Sequence, residues 1–467
     1  MNRRSFIKKS GLFAGTLFIS LKSYPFDRRE KKITGRVYSP KSGLRDVVVS
    51  DGYSVVVTDK NGYYSIEPNE NARFLWVSTP AGYEFNTESN LARHYEGLGS
   101  RNQYDFQLKP LSVDDSRHNF IIWADPQVKD KSDVAQMMET AVPDVKKLVG
   151  GMGGTPVHGI GVGDLVWDNH ALFADYERAV ADMGIPFFQA LGNHDQDYRR
   201  GGDETSDVTF SEHFGPTYYS FNRGKAHYVV LDDVRYLGEG RKYDGFVNQQ
   251  QLDWLKKDLQ LIPRDNLVII CLHIPVCSQV KNNGDLYALL RPFKNVHIMS
   301  GHTHYNINNI QNDIFEHNHG TVCGAWWTGP VCGDGTPRGY GVYEVNGTDL
   351  KWYYKATGRE KEYQLSVDIE TLNNQKRFIA NVWNWDPQWK VEWWADDKYM
   401  GEPENIKGFD PLTIRLYKGD NLPAKRPFAE PHKTDHLFVG HFAPSVKKVK
   451  VVATDRFGQK FTAELNG

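Results

Sequence analysis

Cysteine is scarce in this chain. Cys271, Cys277, Cys323 and Cys332 are the only four in 467 residues, too few for a disulfide scaffold and without the Cys-x-x-Cys spacing of a zinc ribbon. Cys271 falls in an apolar run and reads as a small buried hydrophobe, while a Cys323 to Cys332 bridge stays open. Net charge is also nearly absent. The 56 Lys and Arg against 58 Asp and Glu leave a formal charge of -2, which excludes the basic field of a nucleic-acid binder or a polybasic membrane surface. No apolar stretch reaches the roughly 20 residues of a membrane-spanning helix. Aromatics at 13% and charged residues at 24% describe a globular chain instead of a disordered one. At one domain per roughly 150 residues, the length predicts about three.

The first residues read as an address. Asn2-Arg3-Arg4-Ser5-Phe6-Ile7-Lys8-Lys9 precedes a short apolar stretch from Leu12 to Leu21, giving a positive and then a hydrophobic region. This resembles a twin-arginine export signal, departing from the pattern at Asn2 and Ile7. Residues 1–32 are therefore expected to direct the protein to the periplasm or cell surface, with the cleavage point open. Residues 33–110 alternate apolar and polar positions in short runs punctuated by Gly, Pro and Asn, which predicts a small β-sandwich with a hairpin turn at Asn61-Gly62. The segment resembles carboxypeptidase regulatory-like modules, and nothing in it carries chemistry.

From 111 to 361 the pattern changes to strands alternating with amphipathic helices, which predicts an α/β layered core of sheets flanked by helices. Expected helices run from Val134 to Val149, His170 to Met183 and Gln249 to Leu261. Gly150 to Gly154 follows a helix and lacks a Gly-Lys-Ser/Thr ending, so it reads as a loop and not a phosphate cradle. Strand alternation returns over 362–467, including Leu412 to Tyr417, and predicts a C-terminal all-β sandwich. Its Trp383, Trp385, Trp389, Trp393 and Trp394 are expected to serve packing before sugar stacking.

Within the central segment, five polar clusters end apolar runs. They are Asp125 in Ala-Asp-Pro-Gln, Asp164 in Gly-Asp-Leu-Val, Gly192-Asn193-His194-Asp195, His273 in Leu-His-Ile-Pro, and Gly301-His302-Thr303-His304. Strand ends of an α/β sheet share one edge, so these carboxylate, amide and imidazole groups are expected to converge there. Two divalent cations about 3.5 to 4 Å apart, bridged by one carboxylate, fit that set and would make hydroxide from a bridging water at neutral pH.

The order of these motifs resembles the calcineurin-like metallophosphoesterase superfamily, over about Asn119 to Gly358. The resemblance implies that Asp125 and His304 hold a first metal, that Asn193, His273 and His302 hold a second, and that Asp164 bridges both. His194 would stabilise the phosphate and protonate the leaving oxygen, with Asp195 or Asp168 orienting it; a capping or solvated role for either aspartate is equally open. Gln127 stands where the family places a His ligand, which shifts preference among Mn, Fe and Zn towards the oxygen-seeking ions or empties the first site. Trp326, Trp327 and Arg338 follow the last motif and are candidates for contacting substrate, with packing an equal alternative. The resemblance thus implies an exported dinuclear hydrolase acting on a small organic phosphomonoester or phosphodiester. Cleavage of a pyrophosphate in a nucleotide or lipid-sugar, and a glycan-binding protein with a degenerate metal site, are the alternatives; oligomeric state is not indicated.

Overall fold

The computed structural model describes residues 32–466 apart from 312, 373, 374 and 421, so the expected export segment lies, but for Lys32, outside the described residues. At its centre two sheets pack face to face. The first has seven strands in the spatial order Asp349–Ala356, Gly339–Asn346, Arg117–Trp123, Val157–Val162, Phe187–Ala190, Leu91–Ala92 and Thr87–Glu88. The second has six, ordered Tyr219–Arg223, Ala226–Val230, Leu267–Cys271, Asn295–Ser300, Ile314–Asn318 and Ile307–Gln311.

The period of two decides which residues join the layers. Phe120, Ile122, Phe188 and Ala190 point into the core shared with the second sheet. Their neighbours Ile121, Trp123, Phe187 and Leu191 point the other way, onto Val145, Phe173, Tyr176 and Val180 of the outer helices. Phe188 stacks on Phe221 across the sheets with ring centroids 3.8 Å apart. Truncating either ring would cost about 3–5 kcal/mol. On the far side of the second sheet, the helix Gln249–Leu259 buries Leu252, Trp254 and Leu255. The result is the expected α/β core, four layers deep.

Several local expectations need correction. Val134 to Val149 is not one helix. The α-helix Lys131–Gln136 widens into a π-turn over Met137–Ala141 before resuming at Val142–Gly150. Pro143 explains the break, because it has no N–H to give to the preceding turn. Leu412 to Tyr417 is not a strand but lies in the helix Pro411–Tyr417, started by Asp410, whose side chain accepts from the N–H groups of Leu412 and Thr413. An Asp N-cap followed by proline overrides the alternating pattern. Asn61-Gly62 makes a turn, yet it passes the chain between Val55–Val57 and Tyr63–Ile66, which belong to different sheets, so it closes no hairpin. The four cysteines are free, and the Cys323 and Cys332 thiols both lie against the Thr321 hydroxyl.

The flanking β segments are not simply appended. Near the N-terminus, a three-stranded and a four-stranded sheet enclose Val37, Val49, Leu75, Tyr104 and Leu108. The same segment lends Leu91–Ala92 and Thr87–Glu88 to the first central sheet, with Leu91 pairing Phe187. Towards the C-terminus, two four-stranded sheets bury Trp389 and Trp393 in their own core, and Trp383 is buried too. Among the described residues no helix is long and apolar enough to cross a membrane.

Candidate metal centre

Strands Arg117–Trp123, Val157–Val162 and Phe187–Ala190 run parallel in the first sheet, as do Ala226–Val230, Leu267–Cys271 and Asn295–Ser300 in the second. Each ends two or three residues before a candidate ligand or its support: Asp125, Asp164, Asn193, Asp233, His273 and His302. The strand-end expectation therefore brings the predicted metal residues together at one edge of the sandwich.

Two glycines make that convergence possible. A Cβ at Gly192 would overlap the Asp164 backbone nitrogen, and one at Gly301 would press on the Asp125 carboxylate. The backbone is also held in an unusual state. Asp125, Gln127, Asp164, Asp168, His302, His304, Trp326 and Trp327 all have φ between 40° and 69°, eight of the fourteen non-glycine residues with positive φ among those described. Each such conformation costs on the order of 1–3 kcal/mol and persists only where surrounding structure enforces it. Here they are confined largely to one rim.

Asp164 sits between two groups. On one side its Oδ1 lies 3.3 Å from His273 Nε2, which is 3.0 Å from Asn193 Oδ1 and 3.1 Å from His302 Nδ1. His273 Nδ1 donates to the Val162 carbonyl at 2.8 Å, so its Nε2 faces these other lone pairs. On the other side Asp164 Oδ2 accepts from Gln127 Nε2 at 3.1 Å, and His304 Nε2 stands 3.5 Å from Asp125 Oδ1. Gln127 Oε1 and His304 Nδ1 are buried without a hydrogen-bond partner among the described residues.

Electrostatics follow from burial. Burial resists charging His273, but Asp164 and Asp125 outweigh it and push the imidazole up to about 10. Burial drives Asp125 up to about 8 against the pull of His273. Burial also pushes His302 and His304 down to about 3, leaving neutral imidazoles with lone pairs to give. Carboxylate and amide oxygens, the neutral His302 and His304 imidazoles and an orphaned Gln127 oxygen converge in a dry site that suits divalent cations, which would take the place of the proton the carboxylates favour on His273. Asp164, His273 and His302 alone bring three ligand atoms within 4.8 Å of one another.

His194 lies apart from the ligands. Its backbone N–H donates to Asp164 Oδ1 at 2.8 Å and its Nδ1 to Asp168 Oδ1 at 2.9 Å, leaving Nε2 available. Burial works against its proton, while Asp164 and Asp168 raise its pKa above the ordinary value. Of the two aspartates expected to orient it, Asp168 makes the contact and is itself held by Arg241 at 2.7 Å. Asp195 instead accepts backbone N–H bonds from Gly192, Leu165 and Val166, so it ties the two loops together. A cleft of about 530 Å³ lined by Asp168, His170, Asp197, Tyr198, Arg200 and Arg241 opens alongside.

The three substrate candidates separate. Trp326 is half-buried with its ring 4.8 Å from that of His304. Trp327 is a correction: it is 3% exposed and its indole N–H donates to the Pro126 carbonyl at 2.7 Å, so it braces the Asp125 to Gln127 loop from behind. Arg338 is half-buried behind Gly324, and none of the described hydrogen bonds or ion pairs involves its guanidinium. Reasoning from sequence missed Asp233, which is fully buried and accepts the backbone N–H groups of His273 and Ile274. Its signal was the same as for the other residues, an acidic group just after an apolar strand.

Family models for the N-terminal part, the central domain and the C-terminal part of the calcineurin-like phosphoesterases match residues 31–111, 142–306 and 316–461. The chain belongs to this family. Calcineurin-like phosphoesterases are metal-dependent hydrolases of phosphoesters, and the family implies divalent metal ions. No curated protein matches this phosphoesterase in sequence. Among solved structures it is similar to a purple acid phosphatase from yellow lupin seeds, at 12% identity over 66% of this chain and 67% of that one, with a TM-score of 0.38. It is also similar to GAP50, the anchor in the inner membrane complex of Plasmodium, at 14% identity over 51% and 84% of the two chains, with a TM-score of 0.36. Scores this low add nothing to the fold already described.

Proposed function

We propose that this phosphoesterase is an exported enzyme that uses two divalent transition-metal ions, Mn, Fe or Zn, to hydrolyse a small organic phosphomonoester or phosphodiester. The observation that carries the reading is the pairing of a two-sided ligand cluster around Asp164 with a His194 imidazole poised beside it on Asp168. Asp125, His304 and the Gln127 oxygen would hold one ion, Asn193, His273 and His302 the other, and Asp164 would contact both. When bound, the ions supply Lewis acidity and an activated water. The chain does the rest. Asp168 fixes the His194 ring through Nδ1 and favours its protonated form, so that Nε2 gives a proton to the departing alkoxide. Arg241 holds the other oxygen of Asp168 and keeps that carboxylate from turning away.

Metal analysis together with hydrolysis of nitrophenyl phosphate and bis-nitrophenyl phosphate tests this. Two equivalents of metal per chain and turnover of either ester are expected; a chain that binds no metal and hydrolyses neither would overturn it. Asp168→Asn should retain both ions and slow an alkyl ester by roughly 10²-fold while slowing the nitrophenyl ester less, because only the poor leaving group needs the proton. Equal slowing of the two would remove His194 from the acid role. Export is supported by Arg3-Arg4 followed by the apolar stretch from Leu12 to Leu21. Replacing both arginines by lysine should hold the protein inside the cell, and unchanged export would defeat that assignment.

A further inference from the structure

The C-terminal part sends one segment back across the central core. Arg426 is buried and paired with the equally buried Asp133, and Lys425 reaches Asp130 at 3.2 Å. Asp130 caps the helix Lys131–Gln136, three residues after Gln127. A buried ion pair repays its desolvation only when its geometry is fixed, so this clasp determines where the following residues stand. Two residues on, Phe428 is 52% exposed although its neighbour Ala429 is buried.

The Phe428 ring meets Trp326 at 5.1 Å and Trp167 at 5.8 Å, both edge-on, and the two tryptophans are 6.3 Å apart. Trp167 lies 5.6 Å from the His194 ring and Trp326 4.8 Å from the His304 ring. Trp326 holds its position with a φ of 47°, a conformation a bulky residue adopts only under constraint. Trp326 packs in part against Ala325, Val331 and Ala429, but packing alone would bury Phe428 as it buries Ala429. Lys129 lies 4.4 Å and Arg426 5.3 Å from the Trp167 ring, so cations already border this surface. A cationic group is disfavoured there, and a neutral or anionic flat ring is not.

We propose that Phe428, Trp326 and Trp167 form a stacking wall for a flat, uncharged or anionic ring in the leaving group of the substrate, so that the C-terminal part completes the substrate site. This rests on the phosphoesterase reading, because it is His194, the proton donor to the leaving oxygen, that puts the leaving group beside Trp167. The ring would lie against the open surface of Phe428, while the tryptophans hold that surface in register with the phosphoryl group.

Binding of phosphonates, which the enzyme does not hydrolyse, tests the wall without turnover. The full chain, loaded with Mn, is titrated with phenylphosphonate, cyclohexylphosphonate and methylphosphonate while tryptophan fluorescence is followed. The natural protein should bind phenylphosphonate at least roughly fivefold more tightly than methylphosphonate, the scale of one aromatic contact. Phe428→Ala should bring that ratio close to one, and Phe428→Tyr should preserve it. A ratio unchanged in Phe428→Ala, or cyclohexylphosphonate binding as tightly as phenylphosphonate, overturns the stacking wall alone. Failure to bind any phosphonate, together with no hydrolysis of nitrophenyl phosphate, overturns the phosphoesterase reading and the wall with it.

Discussion

On one side of Asp164, His273 is anchored at both ends: its Nδ1 donates to Val162, and its backbone is pinned by the buried Asp233. On the other side, His304 Nδ1 and Gln127 Oε1 have no partner among the described residues, and Gln127 spends its one observed side-chain contact on Asp164. Imidazole ligands gain basicity and fixed orientation from whatever holds their second nitrogen. The same protein edge therefore carries a well-braced half and a loosely braced half. Ligand types alone therefore do not rank the two halves of this cluster; the groups behind the side chains do.

The sharpest way to break this contrast is to remove what the halves share. Asp164→Asn should abolish binding of both ions and lower turnover by about 10³-fold; retention of one tightly held ion would show that Asp164 belongs to a single half. His273→Ala should cost one equivalent of metal and about 10²-fold in turnover, measured by elemental analysis alongside kinetics. If the second equivalent also went, the halves would be one cooperative site. Asp233→Asn leaves every proposed ligand in place and should weaken the braced half alone by about 10- to 100-fold. An unchanged affinity would mean that the contrast in bracing has no energetic weight. Least in size, Gln127→His should tighten the loose half by about tenfold, seen as slower loss of one equivalent to a chelator. No change would exclude residue 127 from the metal's surroundings.

Much of this centre was legible because each proposed ligand ends an apolar run, and runs of buried β residues end where parallel strands do. What was not legible depended on partners distant in the chain. Trp327 reads as a surface aromatic until the Pro126 carbonyl beneath it is seen. Asp168 and Asp195 have equal standing in a sequence; only the loops that bring Leu165 and Val166 under Asp195 separate an orienting carboxylate from a capping one. Leu412 to Tyr417 alternates as a strand would, and the Asp410-Pro411 start signal preceding it carries more weight. Phe428 stands exposed because Arg426 finds Asp133, 293 residues earlier in sequence. Gly339–Asn346 is a strand although its glycine-rich opening reads as loop.

The first central sheet also constrains the order of events during synthesis. Its neighbouring strands Arg117–Trp123 and Gly339–Asn346 pair Arg117 with Asn346, and Leu91 reaches Phe187 from before either. Contacts so distant in sequence must pay for closing long loops before any pairing rewards them, which makes folding slow. The sheet cannot close until residue 356, the end of its outermost strand, has left the ribosome. Until then the apolar face of Arg117–Trp123 has an unpaired edge, and a nascent chain in that state invites aggregation or chaperone capture. A protein with this topology gains from completing its fold before it is moved anywhere.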